Sequence, residues 1–362
     1  MTYPPKLRRL EDKGRECKII STLDTMNTLG NITKPGNHFF KKSDYLLRRF
    51  LNNVTEESKR QNDLFITEYK RQKEAVGRIE KIDISYEKGS ENITLVMNKN
   101  LSTPYDCAKH LGDSVRKKAV VALLNDESLW HMHKPLPGPC KLKFLHYHLP
   151  NPASVNKTFW RSCSFLLGAA ISNAFKDDIQ IVLHSFPSPN VKSGSFVYDV
   201  QLSLDNWTPS TSELKVLSIE MIKFCQQEHP IYCLDVDKDL ALDIFKNNPH
   251  KTRQIPDIAA NHGDKVTIFK AGLHVDISRG PMIPNTNHVG RITVANVIKL
   301  DTDIPEGPIY RFQGVSLPKA ITLNHFAYGL LEDRAKILNT GRIPGSQGVD
   351  NEDNSFVARM TS

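Results

Sequence analysis

None of the six cysteines pairs with another at Cys-x-x-Cys spacing. Cys17, Cys107, Cys140, Cys163, Cys225 and Cys233 are scattered, mostly inside apolar runs. They read as reduced, buried thiols and argue against a disulfide framework. No apolar run approaches the ~20 residues that a membrane span needs. There is no Walker phosphate loop, no Gly-x-Gly-x-x-Gly after a strand and no Gly-x-Ser-x-Gly elbow. Those gaps set aside P-loop nucleotide hydrolysis, dinucleotide-dependent redox chemistry and serine-hydrolase chemistry. No internal repeat is found, so a solenoid is set aside too. The acids Asp235, Asp237 and Asp239 resemble the opening of a calcium loop, but Leu240 and Lys246 stand where the loop needs Gly and a bidentate Glu. The pairs His131/His133 and His146/His148 have no acidic or cysteine ligand beside them in sequence, and read as ordinary surface histidines.

What is present is length and positive charge. The chain has 362 residues, 39% of them hydrophobic, enough for two or three modest cores. The net charge of +8 favours polyanionic partners, nucleic acid first, although a basic soluble protein without such a partner has the same balance. The first fifty residues hold eleven Lys/Arg against five acids. That composition leans toward a transit peptide or a basic ribosomal-type arm. Glu11, Asp12 and Glu16 fit a transit peptide poorly, and composition slightly favours a disordered tail.

In chain order, residues 1–52 read as a basic, largely irregular segment. Residues 53–78 hold a basic helix with Lys59, Arg60, Lys70, Arg71 and Lys73 on its exposed face and a narrow apolar patch at Leu64 and Phe65. Such a helix gains too little from its narrow apolar patch to stand alone in water and docks on the body, on RNA or on a partner. Residues 79–148 alternate strand patterns around a short helix capped by Thr103 with Pro104 in its first turn, the order of a small β-grasp domain. Residues 151–338 make an α+β domain. Its helices start at Asn156, at the Ser210/Glu213 capping box, at Asp237 and near Thr322, and the stretch from His274 to Pro284 reads as strand. Residues 339–362 read as a disordered polar tail.

In the helix from Asn156 to Phe175, Trp160, Cys163, Leu167, Ala170, Ile171 and Ala174 recur on one face. Arg161 and Phe165 lie four residues apart, so they sit one above the other. Two histidines at that spacing would make a metal or acid–base pair; a guanidinium and a phenyl ring cannot. Lys157, Arg161, Lys176, Arg279, Arg291 and Arg311 are interleaved with Phe159, Trp160, Tyr310 and Phe312. Mixed cations and rings suit phosphate contacts with base stacking, and equally suit a folded surface with cation–π contacts.

Several stretches resemble the N-terminal half of threonyl-tRNA synthetase. Residues 94–148, with NKNLSTPYDCAKHL, look like its TGS domain, a β-grasp module. RSCSFLLGAAI (161–171), GSFVYDVQL (194–202) and HVDISRGPMIPN (274–285) look like its editing domain. In that family the editing site carries His-x-x-x-His and a later Cys-x-x-x-His. Carried over, these four positions fall on Arg161, Phe165, Ser278 and Met282, while Gly168, Gly194, Tyr198, Asp199, Gly280, Pro281 and Pro284 keep the scaffold pattern. No stretch of these 362 residues is read as an aminoacylation core. The pattern is most similar to the mitochondrial large-subunit ribosomal proteins related to that synthetase half, through NKTFWRSC, ISRGPMIP and YRFQGVSLP (310–318).

The resemblance implies an α+β fold: a TGS-like domain over 79–148, then an editing-like, catalytically degenerate domain over 151–338, flanked by the N-terminal helix and disordered tails. It implies a non-catalytic constituent of the mitochondrial ribosome in the matrix, with no cofactor and no metal. Its expected partners are mitochondrial ribosomal RNA and other large-subunit mitochondrial ribosomal proteins. Expected RNA contacts are Lys59, Arg60, Lys70, Arg71, Lys73, Lys157, Arg161, Arg279, Arg291 and Arg311. The rival readings are a free-standing deacylase of mischarged tRNA, using His274, Asp276 and Ser278, and a tRNA-binding regulator without chemistry.

Overall fold

Helix α1 (Glu56–Glu74) opens the residues that the structure, a computed structural model, describes: 56–88, 91–176, 178–302 and 307–344. The expected irregular segment 1–52 lies outside them. Helix α1 docks on the body, and its narrow apolar patch explains how. Phe65 is buried with Leu234, Val236, Val275 and Ile277. Arg60 donates to the Ile244 carbonyl at 2.9 Å, and Gln72 to the Asp235 carbonyl at 2.8 Å.

Strands β1 (Lys81–Lys88) and β2 (Glu91–Asn98) form an antiparallel hairpin. Ile82 and Ile84 on β1 point into one core at period two. Helix α2 (Pro104–Leu111) begins at the Thr103/Asp106 capping box with Pro104 in its first turn. It breaks at Gly112, whose φ of 115° only glycine adopts readily, and α3 (Asp113–Lys118) follows. Strands β3 (Val121–Leu124), β4 (Ser128–Trp130) and β5 (Cys140–Leu145) complete a sheet of order β2-β1-β5-β3-β4. Its one parallel pair, β1 with β5, lies at the centre. That order is a β-grasp.

The rest of the chain forms two sheets around one long helix, α4 (Ala153–Ala174). This helix starts a turn earlier than the sequence suggested, because Pro152 rather than Asn156 occupies the N-cap position. It is buried on almost every side. A helix apolar on one stripe only would leave a wet face; here Ser154, Thr158, Ser162 and Ser164 let that face enter the core too. Strands β6 (Ile181–Ser185), β7 (Phe196–Leu202), β11 (Val289–Lys299) and β12 (Ile309–Pro318) make a sheet of order β11-β12-β7-β6. Helix α5 (Thr211–Gln226), begun by the Ser210/Glu213 capping box, packs with α4 and β11 in the largest core. Strands β8 (Tyr232–Asp237), β9 (Lys265–Ala271) and β10 (His274–Ile277) form the third sheet, order β10-β9-β8. It is covered by α6 (Lys238–Ile244), α7 (Pro249–Ala260) and α1.

Four expectations change. The expected strand from His274 to Pro284 is a strand only to Ile277; beyond it the chain is a loop that folds onto α4. Asp237 precedes α6 but makes no side-chain cap. His131 is buried and His133 half-buried, not on the surface: they sit on a turn where the β-grasp meets the body. The His133 ring lies 5.3 Å from that of Tyr232, and its Nε2 is 3.0 Å from the Pro284 carbonyl. Finally, residues 339–344, part of the segment expected to be a disordered tail, lie against the body; residues 345–362 lie outside the described residues. After α8 (His325–Ala335), residues 339–344 are held by Arg311, whose guanidinium donates to the carbonyls of Asn339, Gly341 and Arg342 at 2.6–2.8 Å.

Candidate functional site

The cleft lies between the first half of α4, the loop after β10, helix α7 and the end of β6. Gly168 lets α4 approach β7 closely: a Cβ there would stand 2.6 Å from the Tyr198 ring. The loop after β10 is tied to α4 by Ser162, whose hydroxyl donates to Thr158 O at 2.8 Å and accepts from Ile283 N at 2.9 Å. The same loop carries Gly280 against Arg161. A Cβ at Gly280 would lie 2.3 Å from Nη1 of Arg161, so only glycine leaves room for the guanidinium.

The four positions that the resemblance assigns to an editing site have different surroundings. Phe165 is fully buried, its ring 4.7 Å from that of His274. Met282 is fully buried in the same core. Ser278, with 8% of its surface exposed, lines the cleft, and its hydroxyl makes no hydrogen bond among the described residues. Arg161 also lines the cleft, with Nη1 3.5 Å from the Pro281 carbonyl. A cation, a phenyl ring, a core thioether and one hydroxyl do not make a zinc donor set. Among the described residues no three His, Cys, Asp or Glu side chains gather closely enough to hold a metal ion.

Behind the cleft sits a buried polar knot. Asp276 accepts from Lys251 Nζ at 2.5 Å, from Tyr198 Oη at 2.5 Å and from the Ile277 amide at 2.7 Å. Lys251 and Asp276 are 2% and 1% exposed, so each charge is stable there only because the other is present. Burial, and then the Asp276 carboxylate, push the Tyr198 hydroxyl well above its usual range, which keeps its proton for the donation. Burial pulls His274 down to about 4. An imidazole so poised is a weak base at neutral pH, where a general base works best with a pKa near the operating pH. Asp276, bonded three times, is placed as a structural anion rather than a base. The trio His274, Asp276 and Ser278 is therefore close in sequence but does not form a nucleophile–base relay.

The ten expected RNA contacts do not share a surface. Lys59, Arg60 and Arg71 pair with Glu56, Glu57 and Glu68 one turn earlier on α1. Lys70 is exposed, and Lys73 lies 4.6 Å over the Tyr69 ring. Arg291 stacks 3.7 Å over the Tyr328 ring. Lys157 is half-buried on α4. Arg311 is a correction: it is 0% exposed and forms a bidentate bridge to Asp199 with both bonds at 2.7 Å, so no RNA phosphate reaches it. The expected stacking rings Phe159, Trp160, Tyr310 and Phe312 are likewise buried in the core, where a base cannot stack on them. Only Arg161 and Arg279 come together, in the cleft. Arg253 and Arg342 join them there and were missed. Arg253 lies on α7, which Pro249 and Pro256 hide from a periodicity reading although Asn248 caps it through the His250 and Lys251 amides. Arg342 lies in the segment read as disordered.

No family model matches the chain. Curated relatives do. A probable cytoplasmic threonine–tRNA ligase 1 of Dictyostelium discoideum is 30% identical over 196 residues, 54% of this chain and 26% of the ligase. The mitochondrial threonine–tRNA ligase of Rattus norvegicus is 29% identical over 252 residues, 68% of this chain and 32% of the ligase. The chain thus spans about a third or less of the length of these ligases. The β-grasp, the cleft and these likenesses define a protein built like one part of a threonine–tRNA ligase. A relative in Drosophila melanogaster, the large ribosomal subunit protein mL39, is 46% identical over 285 residues, 79% of this chain and 86% of the relative. The chain belongs to the mL39 family.

Proposed function

We propose that this protein is a structural constituent of the large subunit of the mitochondrial ribosome, resident in the matrix and without catalytic activity. The observation that carries this reading is the 46% identity along 86% of a relative named as a large ribosomal subunit protein. The cleft supports it: two of the four positions that matter for editing in the ligases have become core, and a third is an arginine. Residues 79–148 serve as a TGS-like module, and the body from 151 onward as an editing-like scaffold. Together they dock against ribosomal RNA and neighbouring large-subunit proteins. Among the described residues no helix is long and apolar enough to cross a membrane. The test is a sucrose gradient of lysed mitochondria, probed for the full chain. Co-migration with the large subunit at moderate salt, and release at high salt, is the expected result. Protein remaining at the top of the gradient at moderate salt overturns the reading.

A further inference from the structure

Strand β12 has two faces. Tyr310 and Phe312 point into the core around α4, whereas Val315 packs with Tyr328 and Ala335 of α8. Helix α8 therefore covers the back of the four-stranded sheet. Its outer side carries Phe326 and Leu330, four residues apart and 77% and 57% exposed. Leu323 ahead of the helix, and Ile337 and Leu338 behind it, extend the strip, and Ile337 is 69% exposed. These five side chains leave on the order of 500 Å² of apolar surface in water, a patch of the size that marks a contact site on a soluble chain. The strip is one helix wide and about 20 Å long.

Three further observations narrow what covers it. The cations at the end of the helix already have partners: Arg334 donates to the Lys192 carbonyl, and Lys336 pairs with Asp333 at 2.7 Å. Arg291, beneath the helix, lies 3.7 Å over the Tyr328 ring. RNA is held through its phosphates by cations, and those of α8 are taken. The area is the second observation. A stable pair of proteins buries about 800 Å² on each side, so a second copy docked strip to strip falls short. A neighbour held in the same particle by other contacts needs no such area, because its effective concentration is already high. The third is Gly329, three residues after Phe326 and inside the helix, where glycine weakens the helix relative to alanine. A Cβ there would meet nothing within 4 Å among the described residues, so nothing in them calls for glycine. A backbone packed closely from outside does.

We propose that the strip docks one amphipathic helix of a neighbouring large-subunit protein, laid along α8 with its backbone against Gly329. This rests on the ribosomal reading and adds a protein contact to it.

The experiment places the photoreactive residue benzoylphenylalanine at position 326 of the full chain, expressed in cells of its own source. Large subunits purified on the mitochondrial gradient are then irradiated. A second chain carries the same residue at position 215, where Lys215 is exposed on α5. The expected adduct from position 326 resists ribonuclease, and mass spectrometry places it on an amphipathic segment of one other large-subunit protein. Position 215 does not give it. An adduct removed by ribonuclease, joined to a second copy or to another part of this chain, or shared with position 215 overturns the proposal, and so does the lack of any adduct. Gly329→Gln is the companion variant. It raises helix propensity, so thermal unfolding is expected at the wild-type temperature or above. At the salt concentration that releases half of the wild-type chain, about a tenth of the variant is expected to stay with the subunit, the mark of a roughly tenfold weaker hold. A control with Ile79→Ser and Val96→Thr, both exposed apolar positions outside the strip, is expected to stay like wild type. Wild-type retention of Gly329→Gln, or an equal loss in the control, also overturns the proposal. The two ideas fail separately. Wild-type chain at the top of the gradient removes both; wild-type chain that enters the subunit without the adduct removes only the helix contact.

Discussion

Arg311 on β12 and Arg161 on α4 are both largely enclosed arginines, and they differ in what surrounds them. Arg311 meets a carboxylate and three backbone carbonyls inside the protein, at 2.6–2.8 Å. It joins β7 to β12 and pins residues 339–342. Arg161 lies at the wall of an open groove, beside a glycine that makes space for it. One region spends its cation on the fold; the other sets its cation in the wall of a groove. Lys251 falls between them, a buried lysine that neutralises Asp276 while lining the groove. The lesson is that a basic side chain is a poor guide to partner contact until its acceptors are known.

Five substitutions and one change of condition sharpen that contrast. Arg311→Ala should have the largest effect, because it strands Asp199 in the core and frees residues 339–344. Breaking a buried pair from one side costs about 3–5 kcal/mol. A matching fall in stability in urea unfolding is expected, and Arg311→Lys should recover little, since an ammonium cannot hold the fork. Lys251→Met should cost roughly 3 kcal/mol, nearer the low end, because Tyr198 and the Ile277 amide still bond Asp276. Acid should come next. Burial holds His133, His274 and His288 at about 4, whereas unfolded histidine titrates near 6.5. Between those values the unfolded chain binds more protons. Stability is therefore full above about pH 6.5 and falls as pH drops toward 4, by up to about 1.4 kcal/mol per pH unit for each group. Thermal unfolding from pH 7 to 5 should show that slope, and His133→Gln should flatten it while loosening the β-grasp from the body. Arg161→Met should do least, shifting stability by under about 1 kcal/mol, since the methionine chain keeps the packing of the arginine stem at the groove wall. If Arg161→Met proves as costly as Arg311→Ala, the distinction between the two regions collapses.

Much of the architecture was legible in the chain. The strand alternation of residues 79–148, the Thr103/Asp106 box and the Ser210/Glu213 box all describe local chemistry, and local chemistry is what a single sequence records. That residues 161, 165, 278 and 282, the positions the ligase resemblance assigns to an editing site, are Arg, Phe, Ser and Met was legible too, since the sequence gives residue identities directly. Helix α7 was not, since Pro249 and Pro256 break the usual signal while Asn248 supplies an inconspicuous cap. The burial of Arg311 and the capture of residues 339–344 depend on Asp199, more than a hundred residues away, and no spacing rule connects them. The groove was half visible: Arg161 and Arg279 could be named, but Arg253 and Arg342 join them only through the tertiary fold. The isolated histidine pair His131/His133 misled for the same reason, because the turn that carries it is covered by another module.

On the proposed reading the cleft keeps the frame of a ligase editing site and none of its chemistry. The direct measurement is discharge of Ser-tRNA by the purified full chain, with and without added zinc, followed over hours beside a heat-treated sample. The account predicts the same rate as in buffer alone. Faster discharge that disappears in the Asp276→Asn chain, with the fold intact by circular dichroism, would contradict it.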